Sequence, residues 1–370
     1  MTKATAIYVL TQQGAMTASQ LARAMEVDVY VPPAVEAACP VDGCIPYDSL
    51  RALIAKTFAA YRSHIFITAA GVAVRCIAPH LKDKSIDPAV VVLDQRGKNV
   101  ISLLSGHLGG ANSLARDVAG ILGGQAVITT ATDTENLPSL DILALEFNLA
   151  IANIRAVAKV NAALLAGTRV AVDDPRNHLQ LKGSAWKDLF VFTGTEAYAS
   201  LAPEEAANLV RVTVTPALVP LTDTDLVLHP KTLHIGIGCR RGAKAPEIAG
   251  LITAMLEQLE LSPGSIADIA SADVKQFEPG LLDAAAALGV PVRFFSVKEL
   301  DAVPVTSVSP KAQEVFGVDG VCEPAALLAA GENAVLRLPK RAAKGVTIAI
   351  AEETVQNGDP GSSKDAPANA

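Results

Sequence analysis

Short runs of β-branched and aliphatic residues alternate along the chain with longer stretches rich in Ala and Leu. Ala6 to Leu10, Asp28 to Val31 and His64 to Ala69 read as strands, and Thr17 to Met25 and Ser49 to Tyr61 as helices. Strands that are apolar at consecutive positions belong in a parallel sheet covered on both faces, and their alternation with helical stretches is the mark of βαβ units. Ala89 to Asp94 and Asn99 to Leu104 are separated by Gln95-Arg96-Gly97-Lys98, a turn with Gly where positive φ is wanted, which predicts a hairpin or tightly joined strand pair. From Ala111 to Leu122 the apolar positions recur at helical spacing, with Gly123-Gly124 as the stop and Gln125 to Thr130 as the next strand.

The pattern then restarts twice. A middle segment carries an Ala-rich helix at Arg155 to Ala166 and β runs at Arg169 to Val172, Leu189 to Phe192 and Val210 to Val214, and its polar residues form no chemical pattern. His229-Pro230-Lys231 reads as a linker, after which strand Leu233 to Ile237, a Gly/Arg turn and a helix at Pro246 to Leu259 open a third segment. The expected organisation is a multi-domain α/β protein of mostly parallel sheets flanked by helices, with domains at 1–135, 136–228 and 231–352. Residues 353–370 have almost nothing to bury and are expected to be disordered.

Length agrees, since 370 residues exceed the usual single domain of about 100–200. Half of the residues are hydrophobic and only 4% aromatic, the usage of α/β layers and not of a base-stacking surface. The formal charge of −7, with no Lys/Arg block longer than two, excludes a nucleic-acid reader, so any anionic ligand must be held locally. Five cysteines without a CxxC suggest neither a disulfide framework nor a zinc site, and fit a reduced, cytoplasmic setting. The N-terminal apolar run is too short for a signal sequence, and no stretch approaches the ~20 apolar residues of a membrane helix.

The densest chemical signal is Ser105-Gly106-His107-Leu108-Gly109-Gly110-Ala111-Asn112, a strand end that feeds a helix through a Gly-rich turn. Glycines let backbone approach a ligand, and amides at a helix N-terminus attract a carboxylate or a developing oxyanion. His107, whose imidazole titrates near neutral pH, is the candidate general acid or base. The alternative is structural, with Ser105 and Asn112 capping the helix and the glycines serving tight packing. The turn is neither a Walker A loop nor a GxGxxG fingerprint, so phosphate binding is unsupported.

A second cluster, Thr129-Thr130-Ala131-Thr132-Asp133, puts hydroxyls and a carboxylate at a strand end, where open α/β sheets place ligands, or forms a simple polar turn. Arg75, Lys84 and Asp87 fall in predicted loops. Gly236-Ile237-Gly238-Cys239-Arg240-Arg241 again ends a strand in a Gly turn, now with two arginines, which suits a polycarboxylate. Cys239 has no His nearby in sequence and reads as a small buried residue. Lys275 and Glu278 add charges at a later strand edge.

Together these segments resemble a known family. Ala69-Ala70-Gly71, Arg75, Ala78-Pro79, Lys84, Asp87-Pro88, the Ser105 to Asn112 turn and Val127 to Asp133 look like the N-terminal region of CbiG proteins, the cobalt-precorrin-5A hydrolases of cobalamin biosynthesis. Gly236 to Arg241, Lys275, Glu278-Pro279-Gly280, Val321-Cys322-Glu323 and Pro339-Lys340 look like the α/β C-terminal domain that those proteins share with standalone CobE. The chain departs at Pro324, where the family leads one to expect Ala.

The resemblance implies hydrolysis of a cobalt-bearing tetrapyrrole. Water opens a δ-lactone formed by the ring A acetate arm, and the bridging carbon leaves with its methyl as acetaldehyde. Such a hydrolase acting on carbon–carbon bonds needs a base, oxyanion donors and cations for the substrate's carboxylates. His107 is assigned as acid or base, with Asp133 or Glu278 as alternatives. Ser105 and the amides near Gly109 and Gly110 are assigned as oxyanion donors, and Arg75, Lys84, Arg240, Arg241 and Lys275 as carboxylate anchors, with Gly106, Asn112, Thr130, Thr132, Gly236, Gly238 and Glu278 completing the substrate site. No cofactor is expected, cobalt being carried by the substrate, and the expected partners are the tetrapyrrole and, transiently, methyltransferases of the corrin pathway. A carrier that binds corrin intermediates without turnover is the alternative from another class, and a nucleotide- or sugar-phosphate-binding protein a weaker third.

Overall fold

A computed structural model describes residues 3–83, 86–308, 312–314 and 317–354. The segment expected to be disordered lies, from residue 355 onward, outside the described residues, as does Lys84. The chain forms two compact units, Met1–Leu143 and Ala144–Ala370.

The first unit is built on a seven-stranded sheet of β1 (Lys3–Val9), β2 (Asp28–Val31), β3 (Ile45–Pro46), β4 (Tyr61–Ile67), β5 (Ala89–Leu93), β6 (Asn99–Leu104) and β7 (Gln125–Val127), in the order β3-β2-β1-β4-β5-β6-β7. The first five strands are parallel, and the expected hairpin appears as the antiparallel pair β5–β6. Alternate residues of one strand serve opposite faces. Ile7 and Val9 pack under helices Gln12–Ala24 and Ala111–Leu122, whereas Ala6 and Tyr8 pack with Ile54, Phe58, Ala73 and Ile77 on the other side. That double burial is why these strands carry no polar alternation.

The second unit holds two five-stranded sheets. One comprises β8 (Leu149–Ile151), β9 (Val170–Asp173), β10 (Phe190–Phe192), β11 (Arg211–Val214) and β12 (Leu226–Pro230), in the order β10-β9-β11-β12-β8. The other comprises β13 (Leu233–Cys239), β14 (Ile266–Ala272), β15 (Val292–Phe295), β16 (Ala334–Ala343) and β17 (Val346–Glu353), in the order β15-β14-β13-β17-β16. On one face of this last sheet Ile235 and Ile237 pack against helices Ala245–Gln258 and Pro279–Leu288. On the other, helix Cys322–Ala330 lies so close that a Cβ on Gly236 would stand 1.8 Å from the Cys322 carbonyl oxygen. Pro324 falls in the first turn of that helix, where a missing N–H costs nothing.

Two expectations are corrected. His229 and Pro230 are not linker but the buried end of β12, paired antiparallel with Ala150 and Leu149, and the His229 ring donates from Nδ1 to the Thr215 carbonyl at 2.7 Å. Proline is tolerated there because it closes the strand and lacks only the last ladder donor. The strand expected to reach Thr130 stops at Val127, because Thr130 is already the N-cap residue of the single turn Ala131–Thr134.

Candidate active site

The reversed direction of β6 decides what meets what in the first unit. β7 pairs parallel to β6 and both run against β5, so the turn after Leu104 and the segment after Val127 emerge at the same sheet edge. The two polar clusters singled out in the sequence are brought together there.

The Gly-rich turn folds onto itself. Ser105 adopts a left-handed φ of 58°, its carbonyl accepts from the Ala111 N–H at 3.1 Å, and the carbonyls of Gly106 and His107 accept from Asn112 and Gly110 at 3.0 and 2.8 Å. A Cβ on Gly109 would stand 2.3 Å from the Ser105 Cβ, so only glycine lets the loop close. Neither Ser105 nor Asn112 caps the following helix; its N-cap is Gly110 at φ 83°, without a side-chain bond. The Ser105 hydroxyl donates to the Asp87 carbonyl at 2.9 Å, so its proton is committed to the loop, which leaves oxyanion donation to backbone amides of the turn.

His107 is held at both ring nitrogens. Nδ1 lies 3.2 Å from Ser139 Oγ and 3.5 Å from Asp141 Oδ2, and Nε2 lies 3.1 Å from Thr132 Oγ1 and 3.4 Å from Asp133 Oδ2. The Ser139 hydroxyl donates its one proton to Asp141 Oδ1 at 2.5 Å, so it accepts from His107, which puts a proton on Nδ1 and leaves Nε2 as the basic nitrogen of the neutral ring. The bond to Asp141 raises the His107 pKa above its ordinary value despite the opposing effect of burial, with the Asp133 charge acting in the same sense. Burial works to raise the Asp141 carboxyl, but His107 and Ser139 hold it below the usual carboxylate range.

Asp133 is fixed in turn. Asn112 donates from Nδ2 to Asp133 Oδ2 at 2.9 Å and to Thr130 Oγ1 at 3.0 Å, its Oδ1 accepts from Ser102 Oγ at 2.7 Å, and Arg116 pairs with Asp133 Oδ1. Asn112 and Thr130 are therefore engaged in holding Asp133. Ser139, Asp141 and Arg116 were not singled out in the sequence. The available signal was Pro138-Ser139-Leu140-Asp141 at the start of helix Leu140–Glu146, a pattern that reads as an ordinary helix start. Arg75 is exposed and donates to the Gly71 carbonyl at 2.9 Å, one turn back on its own helix, away from any of these contacts.

The second unit offers a different chemistry. A cavity of about 450 Å³ opens at the end of β13, lined by Arg240, Arg241, Lys275 and Lys340 together with Gly238 and Thr347. Its walls are held by buried or half-buried carboxylates. Glu278 accepts from the Gly242 N–H at 2.7 Å and from Lys275 Nζ at 3.1 Å. Burial alone raises its pKa, yet those two donors hold it low. Arg240 pairs with Glu247 at 2.9 Å. Glu323, nearly inaccessible, accepts from the amides of Thr306, Ser307 and Lys340 at 2.7, 3.2 and 2.8 Å, which fixes the backbone beside the Lys340 side chain. Four cations line one concavity, two of them paired with Glu247 and Glu278, and together they can take several carboxylates. Gly236 does not share this role, because its free side is filled by the helix carbonyl of Cys322. Cys239 lines the cavity, and burial pushes its thiol up, which keeps it protonated.

No helix among the described residues is long and apolar enough to cross a membrane. Three family models match the chain: Cobalamin synthesis G N-terminal over residues 52–133, Cobalamin biosynthesis central region over 138–230, and Cobalamin synthesis G C-terminus over 233–351. The cobalt-precorrin-5A hydrolase of Priestia megaterium is 33% identical over 306 residues, 82% of each chain. That of Salmonella typhimurium is 37% identical over 297 residues, 80% of this chain and 82% of the relative. Protein CobE of Sinorhizobium sp is 35% identical over 122 residues, 32% of this chain and 79% of the relative.

Proposed function

The chain belongs to the cobalamin synthesis G (CbiG) family, and on that premise we infer that it is a cobalt-precorrin-5A hydrolase of cobalamin biosynthesis. The observation that carries this reading is the alignment of relatives bearing that name over about four fifths of both chains. Cobalt enters as part of the substrate, and the residues of this chain act on the lactone and on the carboxylate arms.

In the first unit, neutral His107 takes a proton from water through Nε2, and the imidazolium that forms is stabilised by Asp141 at Nδ1 and by Asp133 at Nε2. The hydroxide attacks the lactone carbonyl, and backbone amides of the turn before Gly110, whose own N–H donates to the His107 carbonyl, receive the oxyanion. The tetrahedral intermediate collapses to a carboxylate and expels the ring oxygen as an alkoxide on the methyl-bearing carbon. That alkoxide becomes the carbonyl of acetaldehyde as the bond from its carbon to the macrocycle breaks, the electron pair stays on the macrocycle, and the proton held by His107 is returned there. Asp133, already shared between Arg116 and Asn112, acts as a positioning carboxylate. Glu278 is committed to Gly242 and Lys275 in the same way. In the second unit Arg240, Arg241, Lys275 and Lys340 supply the charge for a polycarboxylate, which supports a substrate edged with acetate and propionate arms.

Replacing His107 by Ala tests the assignment. Loss of the base lowers turnover by about 10²–10⁴-fold, with tetrapyrrole binding retained. Unchanged turnover in the variant removes His107 from the mechanism, and binding without turnover by the unaltered chain favours a carrier.

A further inference from the structure

We propose that Phe277 is a positioning residue for the substrate: its ring supports the flat face of the tetrapyrrole while the neighbouring cavity takes the carboxylate arms. The proposal rests on the functional reading above and adds the aromatic contact to it. Phe277 is 83% exposed, the most exposed of the large hydrophobic side chains and the one exposed aromatic ring among the described residues. Isolated surface leucines and valines are ordinary, but an aromatic ring this exposed is not, because aromatic side chains carry the largest burial payload and a preference for stacking.

Its backbone is ordered. Gln276 N donates to the Asp273 carbonyl and Glu278 N to the Lys275 carbonyl, each at 3.0 Å, so residues 273–278 make two overlapping tight turns. The Lys275–Glu278 ion pair spans the second turn at 3.1 Å, and Glu278 also binds the Gly242 amide, tying the turn to the end of β13. Helix Pro279–Leu288 begins directly afterwards. Phe277 thus stands on a braced turn, two residues along the chain from Lys275, which lines the cationic cavity, and three from the exposed Val274. Cations lining a cavity and an exposed aromatic ring two residues along the chain from one of them fit a ligand that is flat and apolar in the middle and anionic at its rim. A ligand that is merely anionic has no use for the ring.

The test compares the full chain with Phe277→Ala and Phe277→Trp, titrated with an octacarboxylate porphyrin and with an aliphatic tetracarboxylate that has the charges but no face. Phe277→Ala is expected to weaken porphyrin binding about tenfold or more, Phe277→Trp to preserve it, and neither to change tetracarboxylate binding or the melting temperature. With cobalt-precorrin-5A, the Ala variant should raise KM and leave kcat unchanged. Equal porphyrin affinity in the Ala variant, or no porphyrin binding by the unaltered chain, overturns the proposal; the former result points to a protein partner for this ring. Acetaldehyde release by the unaltered chain is read separately, so the hydrolase reading can fail while the Phe277 result stands, and the reverse.

Discussion

The imidazole of His107 and that of His64 show how one residue type is set to opposite tasks by its surroundings. His107 has a carboxylate near each nitrogen and a raised pKa. In the proposed role of base it must be neutral, so kcat/KM is expected to rise with pH along a limb lying above the ordinary imidazole value of about 6.5. Asp141→Asn removes the largest cause of the shift, so the limb should move to lower pH as turnover falls; a pH–rate profile of the two proteins checks this. A raised pKa also means that this residue's contribution to stability is full below the ordinary pKa and fades as pH rises through the folded value. His64 is inaccessible, donates from Nε2 to the Phe58 carbonyl at 3.1 Å and accepts from the Tyr8 hydroxyl at 3.0 Å. Burial lowers its pKa to about 4. The unfolded chain therefore binds the extra proton first, and stability should fall between pH 6.5 and 4 by about 3 kcal/mol from this group, at about 1.4 kcal/mol per unit. Denaturant titrations across that range, with a His64→Gln control that flattens the dependence, measure it.

At the scale of elements, the helices and the buried strands were legible because their apolar spacing is a local property. Helix Ala111–Leu122 has the bounds that its periodicity and its Gly-Gly stop predict. What was not legible depended on tertiary partners. The end of β12 looked like a linker, since Pro and charged neighbours carry no strand signal and only pairing with β8 buries them. Thr130 looked like strand and is a helix cap. His107 stood out in the sequence, whereas Ser139 and Asp141, 32 and 34 positions later, became its partners only once the chain had folded. The same distinction separates the glycines. Gly109→Ala must displace Ser105, whose Cβ would be 2.3 Å away, and should cost about 1–3 kcal/mol along with turnover. Gly120→Ala, in the same helix region with nothing within 4 Å, should stabilise by about 0.5–1 kcal/mol. Thermal unfolding of the two variants gives the signs directly.

Across the whole molecule, an acidic chain concentrates four cations around one cavity of the second unit and two carboxylates around one histidine of the first. The net charge of −7 argued in the sequence against any extended polyanion, and the four cations gather instead at one cavity. Arg240→Ala should therefore raise KM by about tenfold, with less effect on kcat, and tetrapyrrole affinity should weaken as salt is added. Titrations at two ionic strengths decide it. The central claim is turnover itself. Acetaldehyde released by the purified chain, measured against the cobalt-precorrin-5A consumed, is predicted to match it one for one. Tetrapyrrole that is bound yet remains unopened, with no acetaldehyde formed, would contradict the account.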